Sequence, residues 1–232
     1  MLNILFSPQW FHGQDILIDI VSVVVLTIIS LMTFQYHRYS KRQNQHLFFS
    51  IATALLALSF LFKILTNFTL YEQVYRTVPL GFLTLTYKTV HYSDSLFLLG
   101  ALLYRLFTLA GFYLLYLVYA EKQSWYLHSL MAYFIIVSLY FTSHAFYIFH
   151  LTTILFLLPL LWRYYTNYRK TKDKAGEVIM WSFAVIAVSQ LAFIFLDIDD
   201  FVYVLAEGLQ LVGYCLLLIS FILVLHHGKK KK

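Results

Sequence analysis

The sequence predicts an all-α polytopic membrane bundle of seven transmembrane helices, with the N-terminus outside and the C-terminus in the cytoplasm. Of its 232 residues, 61% are hydrophobic and only 12% are charged. A soluble domain cannot hide so much apolar surface, because its exterior needs polar cover. Apolar runs of about 20 residues also recur along the chain. At 1.5 Å per residue, each run is long enough to cross a hydrocarbon core of roughly 30 Å.

The predicted spans follow one another closely and form a single integral membrane domain over residues 1–232. The fourth and fifth could instead be one interrupted stretch, but that stretch is too long to cross once as a helix. A tight turn at Thr142, Ser143 and His144 is therefore predicted between them. The spans are 15–34, 47–66, 95–118, 126–142, 145–162, 178–197 and 201–226.

The loop charges predict the orientation of these spans. Thirteen of the 17 Lys and Arg residues fall in the loops on one side, whereas only Arg76 and Lys88 fall on the other. Basic loops stay in the cytoplasm, so the basic C-terminus is placed there. The net charge of +6 then reflects topology and gives no indication of nucleic-acid binding.

The same charges predict lipid partners and a location. The basic loop 163–177 and the terminal lysines 229–232 lie where anionic lipid attracts each Lys or Arg by about 1 kcal/mol. We therefore expect a multi-pass protein of the cell membrane, with anionic lipid at its cytoplasmic basic patches. In a eukaryote, the terminal lysines would match a dilysine retrieval signal and indicate the endoplasmic reticulum.

The longest loop, 67–94, lies on the predicted outer side. Its segment 84–92 is rich in β-branched and aromatic residues, so a short extended lid is one interpretation. The plainer interpretation is irregular chain lying on the bilayer surface.

Four charged residues fall within the predicted spans: Asp19, Lys63, Arg105 and Glu207. An ionised side chain at mid-bilayer costs about 2.5–3.5 kcal/mol, so such residues face protein or water and are usually paired. Span positions place Arg105 near the midplane and the other three in the outer half. We predict that Arg105 pairs with Glu207 and that Lys63 pairs with Asp19.

Other polar residues share helical faces with these charges. Tyr203, Glu207 and Gln210 form one stripe of the last span, at spacings of four and three residues. Facing stripes predict a polar chamber that opens outward, with Arg105 at its floor. The planar guanidinium would hold an anionic ligand group through two parallel hydrogen bonds. The candidate ligand-binding residues are Asp19, Lys63, Arg105, Thr108, Gln190, Tyr203, Glu207 and Gln210.

A structural interpretation of these residues stays open beside the functional one. The charges would then be buried ion pairs, and the hydroxyl groups would join helices through hydrogen bonds of about 0.6 kcal/mol each.

The leading functional hypothesis is a receptor-like sensor that binds a small polar ligand or ion from the outer side. It would act through a separate protein partner, because the spans leave no room for a soluble output domain. The alternatives are a small transporter or channel, a structural subunit of a membrane complex, and an intramembrane hydrolase. A hydrolase is disfavoured because His144 and His150 do not share a helical face and the other histidines divide between the two sides. No catalytic residue, metal ligand or cofactor is assigned.

Overall fold

The chain folds into seven α-helices within the part that the computed structural model describes. That part comprises residues 8–11, 13–39, 44–71, 73–80, 83–90, 94–119, 125–141, 145–196 and 198–229, with side chains described except at 9, 68–97, 119 and 225–229. A short 3-10 turn, Gln9–Phe11, precedes the first helix. The helices are α1 Gln14–Tyr39, α2 Asn44–Tyr71, α3 Asp94–Tyr119, α4 Trp125–Tyr140, α5 Phe146–Thr171, α6 Lys174–Ile194 and α7 Asp200–Lys229.

Six of these helices are long and apolar enough to cross a membrane, which supports a membrane-embedded helical bundle. The exception is α4, whose 16 residues extend only about 24 Å at 1.5 Å per residue. The fourth and fifth spans are separate helices, as predicted. The predicted turn at 142–144 lies outside the described residues.

A β-hairpin joins α2 to α3. Strand β1, Gln73–Leu80, runs antiparallel to β2, Leu83–Val90, and Gln73 lies opposite Val90. The extended interpretation of segment 84–92 is therefore confirmed as far as Val90, and the irregular interpretation is wrong there. Residues 91 and 92 lie outside the described part of the chain.

The six long helices close into a ring. Each of α1 and α3 packs against α2, and α7 packs against α1 and α6. Helix α5 completes the ring by contacting both α6 and α3, whereas α4 lies outside against α3 and α5. We call the end at which α1, α3, α5 and α7 begin the upper end. The loop charges predict that this end faces outside the cell.

Apolar and aromatic side chains fill the ring below its upper end. Tyr214 packs edge-on against Phe60 with ring centroids 5.4 Å apart, and Tyr164 stacks on Phe183 at 5.3 Å. Leu26 on α1 is fully buried among them. These side chains belong to the main hydrophobic core of the ring.

Paired serines join α1 to α2 towards the lower end. Ser30 Oγ donates to the carbonyl of Ser50 at 3.0 Å, and Ser50 Oγ donates back to the carbonyl of Ser30 at 2.9 Å. Small residues of this kind let helices approach closely in a membrane.

A close approach between α6 and α7 predicts the effect of one small substitution. A methyl group added at Gly213 would clash with Ile186 Cγ1 and would lie 3.2 Å from the carbonyl oxygen of Ser182. Gly213→Ala should therefore lower the free energy of unfolding by about 1–3 kcal/mol, as overpacking does.

Gly208 on the same helix is the matched control, since nothing lies within 4 Å of a methyl group added there. Gly208→Ala should be neutral or should stabilise by up to about 1 kcal/mol through helix propensity. Denaturation with sodium dodecyl sulfate compares the two variants. Equal stability of both would show that the α6–α7 contact is looser than described.

Candidate functional site

Three charged side chains from three helices form a buried cluster near the upper end. Lys63 Nζ of α2 lies 2.8 Å from Asp19 Oδ1 of α1 and 2.6 Å from Glu207 Oε1 of α7. The side chain of Lys63 is 13% exposed, whereas those of Asp19 and Glu207 are 0% and 1% exposed. We call these residues the charge cluster. One ammonium group thus connects three helices of the ring.

The helix positions explain why these residues meet. Asp19 and Glu207 lie in the early turns of α1 and α7, whereas Lys63 lies two turns before the end of the antiparallel α2. The flexible four-carbon stem of lysine lets its ammonium reach both neighbouring helices. The ring of Phe60, one turn along α2, lies 5.6 Å from the same ammonium.

The predicted pair of Arg105 with Glu207 is wrong, whereas the predicted pair of Lys63 with Asp19 is confirmed. Glu207 accepts from Lys63, and α7 lies between α1 and α6 in the ring. Arg105 instead faces α5, where its guanidinium carbon lies 5.3 Å from the ring centroid of Phe149. The arrangement of the helices around the ring therefore decides the pairing.

Arg105 is buried without an acidic partner among the described residues. Arg105 is 8% exposed, and its Nη1 has no hydrogen-bond partner. Its guanidinium contacts the face of the Phe149 ring. An aromatic face attracts a guanidinium but supplies no hydrogen-bond acceptor equivalent to a carboxylate. The guanidinium therefore keeps unused hydrogen-bonding capacity.

Three buried oxygen atoms near the charge cluster also lack hydrogen-bond partners. They are Asp19 Oδ2, Glu207 Oε2 and Gln210 Oε1, the last from the next turn of α7. Two carboxyl groups share a single ammonium, and each keeps one oxygen without a hydrogen-bond partner. These oxygen atoms are buried positions at which a further hydrogen bond can form.

The remaining predicted site residues have defined surroundings. Gln190 Oε1 lies 2.8 Å from His150 Nδ1, and the His150 ring stacks on Phe193 at 4.9 Å. Tyr203 is buried between Phe193 and Phe11, with centroids 6.1 and 6.2 Å away. Thus Gln190 and Tyr203 lie at the upper end, on the α5, α6 and α7 side of the ring.

Thr108 is a weaker candidate than predicted. Its Oγ1 donates to the backbone carbonyl of Tyr104 at 2.8 Å, one turn earlier on α3. Such bonds satisfy the hydroxyl donor within the helix itself. Thr108 is buried as its helical face predicts, yet its hydroxyl proton is already used.

Two residues of this region were not among the predicted site residues. Tyr104 lies within electrostatic range of the charge cluster and of Arg105, and its ring packs on Phe149 at 5.4 Å. His150 lies within range of Lys63 and Arg105. In the sequence, the one feature that marks either residue as a site candidate is a polar group on a side chain within an apolar span. We call the following set the upper polar layer: Asp19, Lys63, Tyr104, Arg105, His150, Gln190, Glu207 and Gln210.

Metal-binding chemistry has no support within the described ranges. No group of three or more His, Cys, Asp or Glu residues there is arranged to hold a metal ion. The buried His150 uses its Nδ1 in a hydrogen bond with Gln190 Oε1.

Comparison with known proteins gives no relative for this chain. It matches no protein family, no curated protein and no solved structure. The geometry of the upper polar layer is therefore the basis for a functional proposal.

Proposed function

We propose that this protein is a receptor-like protein of the cell membrane that binds a small polar ligand from the outside. The observation that carries the proposal is Arg105, a guanidinium buried in the upper polar layer with no acidic partner among the described residues. Glu207, the carboxylate predicted to neutralise it, is bound to Lys63 instead.

An unpaired guanidinium is costly at this position. Removing an ion from water costs several kcal/mol, and a desolvated cation–π contact such as that with Phe149 returns only about 2 kcal/mol. Residues retained at a cost to stability are typical of functional sites. An anionic ligand group would supply the hydrogen bonds that Nη1 lacks.

The charge cluster offers a way for binding to change the helix bundle. Lys63 connects α1, α2 and α7 through its contacts with Asp19 and Glu207. A ligand that competes for either carboxylate would change how these three helices are held together. Such a ligand shifts the protein only if it binds one arrangement more tightly than the other. A separate protein partner would receive this change.

Packing below the upper polar layer favours a receptor over a transporter or channel. Phe112, Phe183 and Leu26 are fully buried there, beside the neutral hydroxyl groups of Tyr214 and Ser182. A conduction path for ions would need charged groups or water along this region. Exposed basic residues such as Arg169, Lys170 and Lys172 at the lower end would contact anionic lipid on the cytoplasmic side.

Native mass spectrometry of the full-length protein in mild detergent tests the proposal. Wild-type protein purified from its own membrane should carry a small adduct, and Arg105→Met should lose it because the anion-binding fork is gone. Arg38→Met is the matched control, since Arg38 is exposed in the last turn of α1. It should retain the adduct.

Two results would contradict the proposal. One is a wild-type protein that carries no adduct. The other is an adduct that survives the substitution unchanged. Either result would favour a structural role for the buried charges within a larger membrane complex.

A further inference from the structure

The charge cluster contains two carboxyl groups but only one ammonium. Asp19 Oδ1 and Glu207 Oε1 lie 2.8 and 2.6 Å from Lys63 Nζ, and the two acidic side chains are 0% and 1% exposed. The second oxygen of each carboxyl group is buried and has no hydrogen-bond partner. If both groups were ionised, one negative charge would be buried without compensation, which is strongly unfavourable inside a membrane.

The acidic and phenolic groups that face the cluster do not supply this compensation. Tyr203 on α7 and Tyr104 on α3 lie within electrostatic range of Lys63, and both are neutral phenols when protonated. Asp15 on α1 lies within range of Asp19 and would only add negative charge. Its Oδ1 already accepts from two backbone N–H groups.

The basic groups of this region leave Lys63 as the counter-ion of the cluster. Lys63 is the cation within electrostatic range of Asp19 among the described residues. His150 on α5 lies near Lys63 and Arg105, whose positive charges oppose a further positive charge on its ring. The His150 ring is instead held by Gln190 through Nδ1.

We propose that the charge cluster is a binding site for one proton, which Asp19 and Glu207 share. The proton comes from the solution at the upper end and adds to a carboxylate oxygen that Lys63 leaves free, so that one –COO⁻ becomes –COOH. Gln210 Oε1, three residues along α7 from Glu207, is a buried acceptor without a partner for the new O–H group. The protonated cluster has no net charge.

A proton suits this site better than a larger cation does. It forms a covalent bond to an oxygen atom that is already present, so it needs no cavity and no further ligands. A metal ion would need several converging donors. No group of three or more His, Cys, Asp or Glu residues has that arrangement in the described ranges.

Release of the proton changes how three helices are held together. The protonated cluster balances one ammonium with one carboxylate across α1, α2 and α7. The deprotonated cluster contains an uncompensated charge and therefore favours an arrangement that separates the carboxylates or admits water. The pH at the upper end thus shifts the population of the two arrangements. Arg105 takes no part in this step, so the inference goes beyond the proposed ligand site.

Infrared difference spectroscopy of the full-length protein in dodecyl maltoside, a detergent without carbonyl groups, detects the proton. A protonated carboxyl group has a C=O band above the amide bands that shifts on deuteration, whereas a carboxylate has no such band. Exposed Asp and Glu residues are ionised at neutral pH. Wild-type protein should nevertheless show this band at neutral pH and lose it in alkaline solution.

Two single variants test the shared proton. Asp19→Asn and Glu207→Gln should each lose the band, because the remaining carboxylate then has Lys63 to itself. If one variant does not fold, the other decides. Asp200→Asn is the matched control and should keep the band, since Asp200 is an exposed acidic residue at the start of α7. Arg105→Met should also keep it, so this inference and the receptor proposal fail separately.

The pH dependence of unfolding gives a second measurement. Above neutral pH, the native cluster holds one proton that the unfolded chain has released, so stability falls as the pH rises. Relative to Asp19→Asn, the unfolding equilibrium constant of wild type in mixed micelles with sodium dodecyl sulfate should rise about tenfold per pH unit until the cluster is deprotonated. This comparison cancels the titration of His150 and of other groups common to both proteins.

Three results would overturn the inference. The first is a wild-type protein without an exchangeable carboxyl band at neutral pH. The second is a band that survives in either single variant, because a carboxyl group paired with its own ammonium would then bind a proton. The third is an equal dependence of unfolding on pH in wild type and Asp19→Asn.

Discussion

Replacing Lys63 by Met is expected to lower the free energy of unfolding by about 3–5 kcal/mol, as breaking a buried ion pair typically does. The ammonium of Lys63 forms ion pairs with both Asp19 and Glu207, whose side chains are 0% and 1% exposed. Without it, two carboxyl groups would remain close together in a region of low dielectric. Reversible unfolding in mixed micelles of detergent and sodium dodecyl sulfate measures the change.

A triple variant separates charge from packing in this prediction. Met keeps most of the length of Lys63, so adding Asp19→Asn and Glu207→Gln to Lys63→Met should recover most of the lost stability. Lys170→Met should have little effect, because Lys170 is exposed. If Lys63→Met loses less than about 1 kcal/mol, the ion pairs of Lys63 contribute no more than solvated surface pairs do. That result would contradict a buried charge cluster from which water is excluded.

The number and order of the helices could be predicted from the apolar runs in the sequence. The thickness of the hydrocarbon core sets how long each apolar run must be. The helices nevertheless continue beyond the predicted spans in places. The fifth was predicted to end at 162, yet α5 continues to Thr171 through Arg163, Arg169 and Lys170. Hydropathy marks where a helix would leave the hydrocarbon, whereas backbone hydrogen bonds continue the helix beyond that point.

The buried faces were also predictable, because polar residues at helical spacing share one side of a helix. Tyr203, Glu207 and Gln210 are all buried, as the stripe on α7 indicates. Their partners were not predictable from spacing. Whether Glu207 meets Lys63 or Arg105 depends on which helices are neighbours, and α4 lies outside the ring where a simple sequential order would place it inside.

Tyr104 and His150 show a second limit of the sequence. Each is an aromatic residue within a run of apolar residues, where packing is the usual role. Only the folded ring packs Tyr104 on Phe149 and brings His150 Nδ1 to 2.8 Å from Gln190 Oε1. These contacts join residues that are distant in sequence, so no local pattern records them.

Replacing Arg105 by Met is expected to stabilise the ligand-free protein, on the order of 1 kcal/mol, while abolishing ligand binding. Buried charges exchanged for apolar side chains of similar volume often give a neutral or stabilising result. Here the guanidinium has no acidic partner to lose among the described residues. Met would also keep a favourable sulfur–aromatic contact with Phe149, worth about 0.3–1.5 kcal/mol.

Arg105→Lys is the informative comparison, because it keeps the charge and removes the planar fork. The more strongly hydrated ammonium should make this variant less stable than wild type, and ligand binding should weaken as well. Unfolding of ligand-free protein, followed by binding measurements on the same preparations, gives both quantities. A loss of about 3 kcal/mol or more in Arg105→Met would show that the guanidinium holds the fold together. Higher stability combined with lost binding is instead the behaviour of a residue kept for function.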